Sequence, residues 1–157
     1  MIFISHRGNL TGPQPERENS LSFIDEAIER GYDVEIDLRM ENGQLYLGHD
    51  HPEYFVDYEW LLKRSDNLWI HIKDYESLIW ISSHHSEFRY FCHESDRYTL
   101  TSNGYIWSHD LQNKMTDKCI VPLINRKQVF EYDQWDYYAV CTDFVIECEE
   151  RWKKRLQ

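Results

Sequence analysis

The chain is poor in the residues that would assign it to several large classes of protein. Only four of its 157 residues are cysteines (Cys92, Cys119, Cys141 and Cys148), and no two of them form a CxxC pair. A disulfide framework is therefore not expected, and buried free thiols in a cytoplasmic protein are. No apolar run reaches the roughly 20 residues that a membrane-crossing helix needs. Residues 1–6 hold neither a basic leader nor a long apolar segment, so no secretory signal is expected. Positive charge is scarce too: 17 Lys and Arg against 28 Asp and Glu leave a formal net charge of -11. Such a balance excludes a general nucleic-acid binder, whose affinity rests on a basic footprint. An anionic small molecule stays compatible with it where Arg, Lys, His or a metal ion gather locally. There is no internal repeat, no low-complexity stretch and no break in composition, so one domain over 1–157 is expected.

What the chain does have is aromatic and aliphatic residues in short, regularly punctuated runs. Residues 2–5 (IFIS) read as a buried strand, followed by a Gly/Pro-rich loop over 8–18. From Asn19 or Ser20, either of which can cap it, a helix is predicted to about Arg30, with Gly31 as its stop. Residues 32–40 alternate as a strand does, and Asn42-Gly43 is the strongest short hairpin signal available. Further strands are expected at 68–73, 89–93, 104–108, 119–124 and 137–143, and helices at 57–64, 75–83, 126–134 and from 144 to the end. Strand, helix, strand, helix in this order points to parallel βα units. A full (β/α)8 barrel usually takes about 250 residues. The expected fold is therefore α/β: a shortened TIM-type barrel with outer helices reduced or missing, mostly in the second half. Strand faces left bare by missing helices would need cover, and a homodimer is one expectation for it.

Polar residues gather where such a fold does its chemistry. Residues two apart in a strand share a face, so Glu35 and Asp37 point together while Val34, Ile36 and Leu38 point the other way. A turn at Asn42-Gly43 would set Asp37 opposite Gly48, with His49 beside it. LWIHIK repeats the alternation, placing His71 and Lys73 on one face. His6 sits just after the first strand, on the same rim, and the planar fork of Arg7 suits a phosphate. Two imidazoles near two carboxylates fit acid–base chemistry on a phosphodiester with a neighbouring hydroxyl, assisted by a divalent cation.

These motifs resemble the glycerophosphodiester phosphodiesterase family. HRG at 6–8, ENS at 18–20, EID at 35–37 and GHD at 48–50 occur in the family's order and spacing. IHIK at 70–73 takes the place of its acid-x-Lys strand, and CTD at 141–143 resembles its last-strand Thr-Asp. The segment 89–136 matches typical members poorly and is closer to a short bacterial and phage-type branch. The resemblance implies His6 and His49 as general acid and base, Arg7 and Lys73 as phosphate binders, and Asp50 as support for His49. It also implies Glu35 and Asp37 as ligands of Ca²⁺ or Mg²⁺. The family's third metal carboxylate falls at His71, and an imidazole there tilts the site toward Mn²⁺ or Zn²⁺. Alternatively His71 does not ligate, and Glu94 completes the site. The implied reaction is attack by a neighbouring hydroxyl to give a cyclic phosphate, which is then hydrolysed. The rivals are a lyase that stops at the cyclic phosphate, as sphingomyelinase D-like relatives do, and a non-catalytic module binding phosphorylated ligands. The expected partner is a small-molecule phosphodiester, with lipid metabolism as its setting.

The remaining histidines have plainer expectations. His51, His84, His85 and His109 sit in no motif and are expected on the surface or in loops. His93 follows a strand, where lining the rim and a structural hydrogen bond are equally expected. Asp143 is expected to satisfy loop backbone groups, and the aromatics near 104–107 to pack in the core.

Overall fold

The structure is a computed structural model describing residues 1–157. The first half runs β1 (Ile2–His6), α1 (Leu21–Glu29), β2 (Asp33–Glu41), β3 (Gln44–Leu47), β4 (Tyr54–Phe55), α2 (Tyr58–Lys63), β5 (Leu68–Ile72) and α3 (Tyr75–Ser82). The second half runs β6 (Tyr90–Phe91), β7 (Tyr98–Leu100), β8 (Ile106–Ser108), β9 (Cys119–Pro122), α4 (Arg126–Glu131), β10 (Ala139–Thr142) and α5 (Val145–Arg155). The two-residue β4 and the short β7 were not legible as strands, being too brief to show a period.

All ten strands belong to one mixed sheet. Its parallel body has the order β6-β5-β2-β1-β10-β9-β8, with β3 added antiparallel to the far end of β2 and β7 antiparallel to β8. The sheet curls until Phe91 of β6 stacks on Trp107 of β8, ring centroids 4.2 Å apart, although β6 pairs through its backbone only with β5. The result is a partial barrel. Helices cover the crossovers around β1, β2, β5, β9 and β10, whereas β6 reaches β8 through β7 and β8 reaches β9 through a loop. On that helix-free side Tyr98, Leu100 and Ile106 are exposed.

Strand alternation divides the apolar residues into two cores. Val34, Ile36 and Leu38 of β2 and Leu68, Ile70 and Ile72 of β5 face the helices in one large cluster. There they meet Ile24 and Ala27 of α1, spaced to share one helix face. Inside the curl a smaller cluster joins Ile4, Trp69, Phe91, Trp107, Ile120, Ala139 and Cys141. Burying each large apolar side chain is worth about 1.5–3 kcal/mol, so both faces are held. Side-chain caps fix the helix starts: Asp57 accepts from Trp60 N, Asp74 from Ser77 N, and Asn125 and Gln128 form a reciprocal capping box.

Three cysteines are buried free thiols, as expected; Cys92 is instead exposed, because its strand ends at Phe91. No helix is long and apolar enough to cross a membrane.

Candidate functional site

The inner cluster stops short of one end of the curl, and polar side chains continue the same inward-facing rows. On β2, Glu35 and Asp37 follow each other on the inner face, and both are buried. Parallel register brings His6 of β1 level with Glu35, Asp37 level with His71 of β5, and His71 level with Phe91 of β6. A local property, the two-residue alternation, therefore becomes a three-strand constellation through pairing alone. The cleft above it has a volume of about 640 Å³, and its walls include His6, Arg7, Glu35, His49, His71 and Lys73.

His6 is held from both sides. Its Nδ1 lies 2.7 Å from Asp143 Oδ1, and its Nε2 lies 3.8 Å from Glu35 Oε2. Burial by itself would lower the His6 pKa, but the bond to Asp143 and the charge of Glu35 raise it above the ordinary value. Asp143 also accepts from Asn9 Nδ2 at 2.8 Å. The expectation that Asp143 serves loop backbone groups is thus corrected: it is buried and spends its oxygen on two side chains, one from the end of β1 and one from the loop that follows.

Asp37 is fixed by two neighbours. Asn19 Nδ2 donates to its Oδ2, and Asp37 N donates back to Asn19 Oδ1, each at 2.9 Å. Asn19 is therefore not the helix cap; Ser20 occupies that position without a side-chain bond. Arg7 Nε lies 2.9 Å from Asp37 Oδ2, but its N–H does not point along the line, so this is a charge contact. Arg7 Nη1 donates to Glu18 at 3.1 Å. Arg7 thus lines the cleft with much of its fork committed to carboxylates. Lys73 Nζ stands 3.8 Å from Asp37 Oδ1.

The hairpin delivers His49 as its register requires. Asn42 and Gly43 both take positive φ, 52° and 76°, the two-residue turn that matches strand twist. Leu38 then pairs with Leu47, and Gly48 N donates to Asp37 O at 3.1 Å. Arg39 clamps the loop, its Nε donating to Gly48 O at 3.0 Å and its Nη2 to His49 O. Gly48 has φ 152°, and a Cβ there would collide with the carbonyl oxygen of His51. His49 Nδ1 meets Asp50 Oδ1 at 2.7 Å; Asp50 is otherwise solvent-exposed, and this bond holds its carboxyl below the usual range.

Glu35, Asp37 and His71 form the group able to hold a metal ion, their ligand atoms all within 4.8 Å of one another. Glu94 lines the cleft but is exposed and outside this group. The fit rests on orphaned atoms: Glu35 Oε2 and Asp37 Oδ1 are buried without a hydrogen-bond partner. His71 sharpens it. Its Nε2 lies 3.2 Å from the carbonyl oxygen of His93, which can only accept, so the ring proton belongs on Nε2. Nδ1 then turns a lone pair toward Asp37 Oδ1 at 3.3 Å and Glu35 Oε1 at 3.5 Å. Three electron-rich atoms converge, and either a proton on Nδ1 or a cation between them must compensate. Without a cation, burial would lower the His71 pKa, but the two carboxylates lift it to about 9. Asp37, which burial would raise, is held well below the usual carboxylate range by His71, Arg7 and Asn19.

Two further histidines line the cleft wall: His93, for which the rim was one of two expectations, and His109, which no motif placed there. His109 is exposed in the loop just past β8, as expected of a surface or loop residue, and its Nε2 lies 3.0 Å from His93 Nε2. His93 stacks on His71, ring centroids 4.7 Å apart and planes within 2°. Burial and the neighbouring imidazoles lower both pKa values, that of His93 to about 4. Their one sequence signal is an inward position just past β6 and β8. His51 and His85 are exposed and His84 is half-buried, as expected. Trp107 packs in the inner core and also floors the cleft.

No protein-family model, curated protein or solved structure matches the chain. The family resemblance stands on the quoted motifs alone.

Proposed function

We propose that this chain is a metal-dependent phosphodiesterase that cleaves a glycerophosphodiester-like small molecule, using His6 and His49 as proton carriers. The proposal includes membership of the glycerophosphodiester phosphodiesterase family on a shortened TIM-type barrel, and a cytoplasmic setting consistent with free thiols. One observation carries it: a buried carboxylate, Asp143, fixes the Nδ1 side of His6, while the ring's other nitrogen faces the Glu35, Asp37 and His71 group. An imidazole held this way is oriented for proton transfer. A structural histidine has no need to face an unsatisfied carboxylate oxygen.

Glu35, Asp37 and His71 would hold a divalent cation, which when bound neutralises phosphate charge and lowers the pKa of a neighbouring hydroxyl. The chain's own side chains do the rest. Asp143 accepts from His6 Nδ1–H, leaving Nε2 as the atom that carries the proton in and out. Lys73, with the part of Arg7 not committed to Glu18 and Asp37, adds positive charge for the phosphate. In the first step the substrate hydroxyl gives its proton to one imidazole and its oxygen bonds to phosphorus. The bond to the leaving alcohol breaks, and the second imidazole protonates that alcohol. In the second step water opens the cyclic phosphate, with the two imidazoles exchanging roles, and a phosphomonoester leaves.

The test is ³¹P NMR of a diester panel (glycerophosphocholine, glycerophosphoethanolamine, glycerophosphoglycerol and a lysophospholipid) with Ca²⁺, Mg²⁺, Mn²⁺ or Zn²⁺. Turnover that disappears with chelator and in His6→Ala supports the proposal. A cyclic phosphate that accumulates and is never opened makes the protein a lyase. Silence of the wild type across the whole panel replaces the enzyme with a phosphate-binding module. A homodimer over the helix-free side belongs to the same proposal, and a 19.2 kDa species in sedimentation at high concentration would remove it.

A further inference from the structure

We propose that His93 and His109 hold a second divalent cation through their Nε2 atoms, at the mouth of the cleft and separate from the Glu35, Asp37 and His71 group. This goes beyond the phosphodiester proposal and does not depend on it. Both Nε2 atoms face each other at 3.0 Å. Two bonds of about 2.05 Å to one ion across that span subtend roughly 94°, the angle of adjacent ligands on an octahedral ion. Moving the rings apart to about 3.3 Å opens that angle to the tetrahedral value.

The His93 ring is fixed for the task. It lies parallel to His71 at 4.7 Å, and His71 in turn stacks on Phe91 at 4.7 Å. Its Nδ1 is buried with no hydrogen-bond partner, so Nε2 is the ring's one polar outlet. That outlet points at the other imidazole rather than at water or a carboxylate. His109 meets it from just past β8, across the gap in the barrel, its ring centroid 4.4 Å from that of His93 and tilted by 45°. A pair of imidazoles favours Zn²⁺, Co²⁺ or Ni²⁺ over Ca²⁺ and Mg²⁺. Cys92 and Glu94 border the same wall, and the open cleft leaves coordination positions for water or an anionic ligand.

The experiment uses the metal alone. The full-length protein is stripped with chelator and dialysed against Zn²⁺, bound metal is counted per chain, and Co²⁺ absorption spectra report the ligand field. Wild type is expected to bind two equivalents. His109→Gln, at an exposed position, should keep one equivalent and weaken the second at least tenfold, with loss of one component of the Co²⁺ spectrum. Glu35→Gln should lose the other equivalent and keep the His109-dependent one, so the two sites fail independently. Cys92→Ser should change neither. Two equivalents retained in His109→Gln, or a second equivalent lost in Cys92→Ser instead, would overturn the proposal. Binding of a single equivalent by wild type, indifferent to His109, would do the same and would identify the 3.0 Å contact as a plain N–H···N hydrogen bond. Circular dichroism of each variant separates lost sites from lost folding.

Discussion

His6 Nδ1 and Asp143 Oδ1 lie 2.7 Å apart although 137 residues separate them in the chain. The contact exists because β1 and β10 are adjacent parallel strands, with Ser5 level with Thr142, so the last residue of β1 meets the first residue past β10. A carboxylate placed there sets the proton affinity and the orientation of the imidazole together.

His6→Ala is therefore expected to lower turnover by 10²–10⁴-fold, the usual worth of a positioned proton carrier. Asp143→Asn keeps the size and the contact with Asn9 but removes the charge that raises the His6 pKa. The limb of the pH–rate profile that belongs to His6 should then move to lower pH. A profile unchanged in Asp143→Asn would mean that Asp143 only fills space.

Gly48→Ala tests whether the hairpin loop positions His49. The added Cβ meets the His51 carbonyl, so the loop must shift at a cost of about 1–3 kcal/mol. Activity should fall with it, whereas Asp50→Asn, at an exposed carboxylate, should leave stability nearly unchanged. Urea melts and initial rates on the two variants make the comparison. Equal activity in wild type and Gly48→Ala would remove His49 from the proposed chemistry.

The metal-free protein should lose stability as pH rises from neutrality. The pKa of His71 is raised from 6.5 to about 9 in the folded state, so its contribution is complete below pH 6.5 and is lost as pH climbs through 9. The span corresponds to on the order of 3 kcal/mol. Asp37 acts in the opposite sense: its stabilisation is present above the ordinary carboxylate pKa and is lost as pH falls. Urea midpoints at pH 6, 7.5 and 9.5 with chelator present should decline, and His71→Gln should flatten that decline. Saturating cation should flatten it as well, since the ion takes the place of the Nδ1 proton. A wild-type midpoint that does not change over this range would contradict the charge balance described for the group.

The inner cluster should be as costly to damage as the larger core. Trp69 is fully buried inside the curl, with its Nε1 donating to Asp33 at 2.9 Å. Trp69→Ala is expected to cost about 3–5 kcal/mol in chemical denaturation. A loss below about 1 kcal/mol would mean that the curl does not depend on what fills it.

By itself the sequence determined much of what has a local cause. The alternation of β2 put Glu35 and Asp37 on one face, and Asn42-Gly43 set the register that places Gly48, the neighbour of His49, opposite Asp37. The apolar periodicity with Gly31 bounded α1, and the shortage of helices in the second half pointed to a barrel with outer helices missing. These depend on neighbours a few residues away, where spacing carries the physics. The tertiary structure alone decided which distant groups meet: Asp143 and Asn9 with His6, Asn19 with Asp37, Arg39 with the His49 loop, and His93 with His109. Nothing in the order of residues ranks His109 above His85. What separates them is that β8 curls back toward β6, and that curvature comes from packing Trp69, Phe91 and Trp107 inside the sheet.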